Sequence, residues 1–158
     1  MEFIPLVLLA PLLIAVAYCD LRFMRIPNKM SLIAIAVFLL TLPFFPPSHL
    51  VLRLEVAAFV FAMGFTAFAF GMIGGGDVKF LTALMLFIPP VQMTIFTSVF
   101  SASMLTGILV VILMRRLPAT SRWGWKSFGG SNKFPMGLSI AMTGLAVPLV
   151  AFALRHSV

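Results

Sequence analysis

Six continuous apolar runs fill most of this 158-residue chain, and none alternates polar with apolar positions. They cover residues 3–19, 30–45, 54–72, 80–88, 94–114 and 134–154. A helix needs about 20 apolar residues to cross the hydrocarbon of a bilayer, whereas the strands of a membrane barrel alternate over about 10. Unbroken runs therefore select helices. The composition agrees: 62% of residues are hydrophobic and 9% are charged, against roughly 25% charged in a soluble domain. The expected fold is all-α, a polytopic membrane protein built as one bundle of about six transmembrane helices, with residues 1–158 forming a single domain.

The runs differ in length, and the differences carry information. Glu2 is the one charge ahead of the first run, so the basic leader of a secretory signal is missing and an uncleaved helix is expected. The second run is short and is closed by Pro43, Pro46 and Pro47. The fourth, stopped by Pro89-Pro90, rises only about 15 Å as a helix, half the hydrocarbon thickness. It must be extended by its flanks, shielded by neighbours, or re-entrant. In the fifth, Ser98, Ser101, Ser103 and Gly107 are small residues suited to close helix packing. Trp123 and Trp125, in the longest polar stretch, suit an interfacial anchor. The abundant Met and Phe read as lipid-facing bulk. No internal repeat or low-complexity segment is visible.

Charge sets the orientation. With six spans, the first, third and fifth loops share one side and carry Arg22, Arg25, Lys29, Lys79, Arg115, Arg116, Arg122, Lys126 and Lys133. The other side keeps only Arg53 and Arg155. The positive-inside rule then places these three loops in the cytoplasm and both termini outside. It also requires the short fourth run to cross, since otherwise the basic fifth loop would be external. The net charge of +7 is thus read as loops facing anionic membrane lipids, not as a nucleic-acid surface. Cys19 is the sole cysteine, which excludes an internal disulfide and a cysteine-based zinc site. No metal or other cofactor is expected.

The acids are Glu2, Asp20, Glu55 and Asp77, and the histidines are His49 and His156. Asp77 lies in Gly74-Gly75-Gly76-Asp77-Val78-Lys79, where glycines allow a close turn that can bring a carboxylate against another segment. An ionisable group at a membrane boundary is a functional-site candidate. On the six-span topology Asp20 and Asp77 share the cytoplasmic face at helix–loop boundaries, while Glu2, Glu55 and both histidines fall at the other. Two carboxylates that approach can share a proton and activate a bridging water, one as base and one as acid. Arg22 and Lys79, two residues past each Asp, are placed to tune the pair or to meet lipid phosphates. Gly130-Ser131 does not complete the Gly-x-Ser-Gly motif of rhomboid-type serine proteases.

Other readings stand beside this one. The aspartates could simply cap helix ends or sit in solvated loops. A small proton- or ion-coupled transporter would use buried aspartates as a relay, but near mid-bilayer on facing helices. A non-catalytic subunit of a pilus or secretion machine would tolerate the loss of either Asp.

Three motifs resemble those of one family. Asp20-Leu21-Arg22 followed by Ile26-Pro27-Asn28 looks like its first signature. Gly74-Gly75-Gly76-Asp77-Val78-Lys79 is similar to its second, Gly-x-Gly-Asp-x-Lys, and Lys133-Phe134-Pro135-Met136-Gly137 to its Pro-x-Gly opening of the last helix. The chain thus resembles the type IV prepilin peptidases, membrane-embedded aspartic proteases. The resemblance implies Asp20 and Asp77 as the catalytic pair, with Arg22, Pro27, Asn28, Gly74, Gly76, Lys79, Pro135 and Gly137 as supporting motif residues. It implies a prepilin substrate, a basic leader followed by a hydrophobic helix, cut at the cytoplasmic face of a bacterial inner membrane, with pilus assembly machinery as a further partner. Long forms carry a loop, often with paired Cys-x-x-Cys, between the first two spans and methylate the new terminus. Here that loop is about ten residues without cysteines, so the chain is similar to the short CpaA/TadV-like form associated with Flp/Tad pili, and N-methylation is not expected.

Overall fold

The computed structural model describes residues 2–116, 125, 127 and 134–156, the last two of these without their side chains. Arg122, Trp123, Lys126, Gly130, Ser131 and Lys133 lie outside the described residues. The elements are α1 (Ile4–Leu8), α2 (Ala10–Phe23), α3 (Asn28–Thr41), α4 (Leu50–Ala69), α5 (Gly75–Met85), a 3-10 turn at Pro90–Gln92, α6 (Met93–Arg116) and α7 (Met136–His156). There is no strand among the described residues. Three stretches are long and apolar enough to cross a membrane, Leu50–Ala69, Pro90–Arg116 and Met136–Leu154, and the remaining apolar helices are shorter. The protein is the helical membrane bundle that the sequence led us to expect.

Several boundaries differ from the sequence reading, each for a local reason. The first apolar run is two helices, because Pro11 has no N–H to return to Val7 and the chain breaks at Leu9. Helix α2 does not stop at Cys19. It continues through Asp20 to Phe23, with Arg22 favourably placed in its last turn. Met24 then closes it in the left-handed region, φ 52° and ψ 39°, its N–H donating to the Asp20 carbonyl at 2.8 Å. The polar loop shrinks to residues 24–27, and Pro27, at ψ 139°, opens α3. The glycine motif is likewise mostly helix rather than turn: Gly74 is the extended N-cap and α5 begins at Gly75.

The helices pack in two groups. Helix α7 lies between α2 and α6, α5 lies between α3 and α4, and the groups meet where α5 touches α7. Glycines set the close approaches within the first group. A Cβ on Gly144 would stand 2.8 Å from Leu13, and one on Gly107 would stand 2.7 Å from the Ser139 hydroxyl. Ser139 in turn donates to the Ser103 carbonyl. Ser103 and Gly107 therefore do pack helix on helix. Ser98 and Ser101 do not: both are exposed and donate back to their own helix at Thr94 and Thr97.

The short helix α5 is shielded by its neighbours. Val78, Phe80, Leu84 and Met85 are buried, and Phe87 and Ile88 extend the buried run beyond its end. Helix α4 runs antiparallel to it, with Gly64 against Val78, Phe68 over Gly75, and Arg53 donating to the Leu86 carbonyl at 3.2 Å. Arg53 is only 2% exposed. It also donates to the Ser48 carbonyl and pairs with Glu2 at 3.6 Å, which ties the start of the chain, the start of α4 and the end of α5 together.

Candidate active site

At the other end of α5 the two groups of helices bring Asp20 and Asp77 together. Asp20 stands in the last turns of α2, and Asp77 is the third residue of α5. Both line one cavity of about 340 Å³, walled also by Met24, Gly74, Phe134 and Met136, and their carboxylates lie within electrostatic reach of each other. Two carboxylates enclosed together favour the state in which they hold one proton between them.

Each aspartate is also held by the start of a helix. The Asp20 carboxylate accepts the Leu138 N–H at 3.2 Å and a further backbone bond from Gly137, at the beginning of α7. Asp77 reaches back to the N–H of Gly74, the N-cap of its own helix, as an acidic third residue does in a capping box. Capping and pairing, weighed as alternatives in the sequence, coexist here.

The supporting motif residues explain this placement. A Cβ on Gly137 would stand 2.8 Å from the Asp20 carboxylate oxygen, and one on Gly74 would stand 2.7 Å from that of Asp77. Gly76 faces backbone: its Cβ would fall 2.7 Å from the Ile26 carbonyl oxygen. That contact lays the segment before Pro27 across the start of α5. Pro135 precedes the first turn of α7, where its missing N–H costs nothing. Lys79 donates to the Asn28 side-chain oxygen at 3.2 Å, joining α5 to the start of α3. Arg22 donates to the Tyr18 hydroxyl and lies over the rings of Tyr18 and Phe23. Neither cation is aimed at a carboxylate, so the expected tuning of the pair by Arg22 and Lys79 is not what their contacts serve.

Met24 and Ser127 were not singled out in the sequence, and Trp125, expected as an interfacial anchor, packs on the protein itself. Met24 adopts a conformation that costs a side-chain-bearing residue about 1 kcal/mol, and it borders the aspartates. Trp125 packs edge-on against Tyr18, and Ser127 bonds the Leu21 carbonyl, so these two residues dock on the end of α2. A larger, more open cleft of about 660 Å³ lies alongside, over the start of α5, lined by residues 23–28 and 74–77. Among the described residues no three His, Cys, Asp or Glu side chains converge as a metal site would need.

The fold and site define a helical membrane protein with a carboxylate pair at the junction of its two helix groups. Residues 7–112 match the model of the type IV leader peptidase family, and the chain belongs to that family. It is similar to the prepilin leader peptidase/N-methyltransferase of Bacillus subtilis (strain 168), with 33% identity over 118 residues, which is 69% of this chain. The match spans 44% of that relative's length. No solved structure matches the chain.

Proposed function

We propose that this protein is an aspartic endopeptidase of the bacterial inner membrane that removes the basic leader of prepilins at the cytoplasmic face. The observation that carries the reading is the shared cavity of Asp20 and Asp77, on separate helices, beside an open cleft of about 660 Å³. One ionised carboxylate takes a proton from a water whose oxygen attacks the scissile carbonyl carbon. The protonated partner donates to the carbonyl oxygen. The tetrahedral intermediate then collapses, and the departing amine takes up a proton from the pair. Family membership supports prepilins as the substrate class. The four-residue connection between α2 and α3, which contains no cysteine, supports the short Flp/Tad-associated type without N-methyltransferase activity.

The test is cleavage of a co-expressed prepilin by variants at matched membrane levels. Asp20→Asn and Asp77→Asn should each lower cleavage at least about a thousandfold, and the double variant should be hardly worse, because groups acting as a unit are not additive. Glu55→Gln, on an exposed face of α4, should process normally. Near-normal processing by either single Asp variant would leave the transporter or assembly-subunit readings.

A further inference from the structure

We infer that Met24 sets the size of the substrate residue that flanks the scissile bond. The inference rests on the peptidase reading above and names a specificity determinant within that same site. The open cleft and the cavity of the aspartates have three lining residues in common, Met24, Gly74 and Asp77. Gly74 brings no side chain, and Asp77 belongs to the proposed catalytic pair. Met24 therefore supplies the remaining side chain where the two spaces meet, and a chain laid from the cleft to the aspartates passes it.

Its position is fixed on both sides. The Met24 N–H is bonded to the Asp20 carbonyl, so the residue is anchored to one member of the pair. Two residues on, Ile26 is buried, with its carbonyl against Gly76 beside the other member. A left-handed helix cap is a position that glycine fills without penalty. Methionine there puts a long unbranched side chain where glycine would leave the two spaces joined. The smaller cavity is walled also by Phe134 and Met136, so on this reading a bulky residue that does not clear Met24 cannot set its peptide carbonyl between the carboxylates.

The experiment measures kcat/KM of the purified full chain on prepilin peptides in which the residue just before the cut, and separately the one just after it, is Gly, Ala, Val or Leu. Met24→Gly and Met24→Asn both suit the left-handed backbone, so both should fold. Each should raise the bulky-to-small ratio of kcat/KM about tenfold or more at one of the two positions, the range that one or two methylenes command in a pocket. A merely structural role would move all peptides together and leave the ratios flat. Wild-type ratios at both positions in both variants overturn the inference and leave the peptidase reading intact. Complete loss of cleavage in both variants at normal membrane levels also overturns it. Failure of the wild type to cut any peptide overturns the peptidase reading, and this inference with it.

Discussion

Asp20 and Asp77 each accept backbone N–H groups from a helix start while facing one another, and this double duty fixes how they should titrate. The proposed mechanism needs one proton on the pair. Acid adds a second proton and removes the base; alkali removes the only proton and leaves no acid. Cleavage should therefore follow a bell-shaped pH profile whose two apparent pKa values belong to the pair, and either single Asn variant should abolish the bell rather than shift one limb. A profile rising monotonically with pH in the wild type would contradict a shared proton. These two residues were legible in the sequence because the chain has only four acids and two of them sit in motifs. That the contacts of Arg22 and Lys79 do not run to the carboxylates has a simple cause. Both aspartates turned out to be helical, and a residue two positions along a helix points to roughly the opposite side. The backbone angle of Met24 and the carbonyl contact of Ile26, a residue quoted only as part of the first motif, have no residue-type signature.

Among the elements, α5 shows how a motif can be recognised and its conformation misread. Three consecutive glycines suggest a close turn, but all but the first are inside the helix, where their smallness serves the expected close contact. The contacts are unequal. Gly76 meets backbone at Ile26, which cannot yield without moving the loop, whereas a Cβ on Gly75 would meet only the half-exposed ring of Phe68 at 3.2 Å. Gly76→Val should abolish prepilin cleavage while the protein still accumulates in the membrane, and Gly75→Ala should cost little. Cleavage measured at equal membrane levels decides it, and equal activity of the two variants would mean that the glycines act only as a hinge. The long helices were read well, since continuous apolar sequence has few alternatives in a bilayer. The end of α2 is harder to read, because a helix stopped by a left-handed methionine carries no glycine to announce it.

For the whole molecule, the Arg53 pin at the far end of α5 predicts a separation of stability from activity. Arg53→Ala takes the donor from the Ser48 and Leu86 carbonyls and leaves only the part-exposed Glu2 as a charge, and should lower stability by about 2 kcal/mol. Thermal unfolding in detergent should show it, while Asp20→Asn leaves the midpoint near that of the wild type; an unchanged midpoint for Arg53→Ala would mean the pin bears nothing. The basic loops predict orientation: reporter fusions after Ser131 should read cytoplasmic and fusions at Val158 external, and a cytoplasmic reading at Val158 would rule out six spans. The pairing of α4 with α5 also fixes a depth. From Gly64, which lies against Val78, to the end of α4 at Ala69 the helix climbs about 8 Å, whereas from Val78 back to Asp77 the antiparallel α5 climbs only about 2 Å. The carboxylates are therefore sunk about 6 Å beneath a rim that ends in exposed Phe70 and Met72. Lipid packed around such a rim would leave a wet notch in the membrane surface. A substrate helix lying in the bilayer would then need only to fray its first turns downward into that notch, so the hydrolysis of its peptide bond could proceed without the helix ever being withdrawn from the lipid.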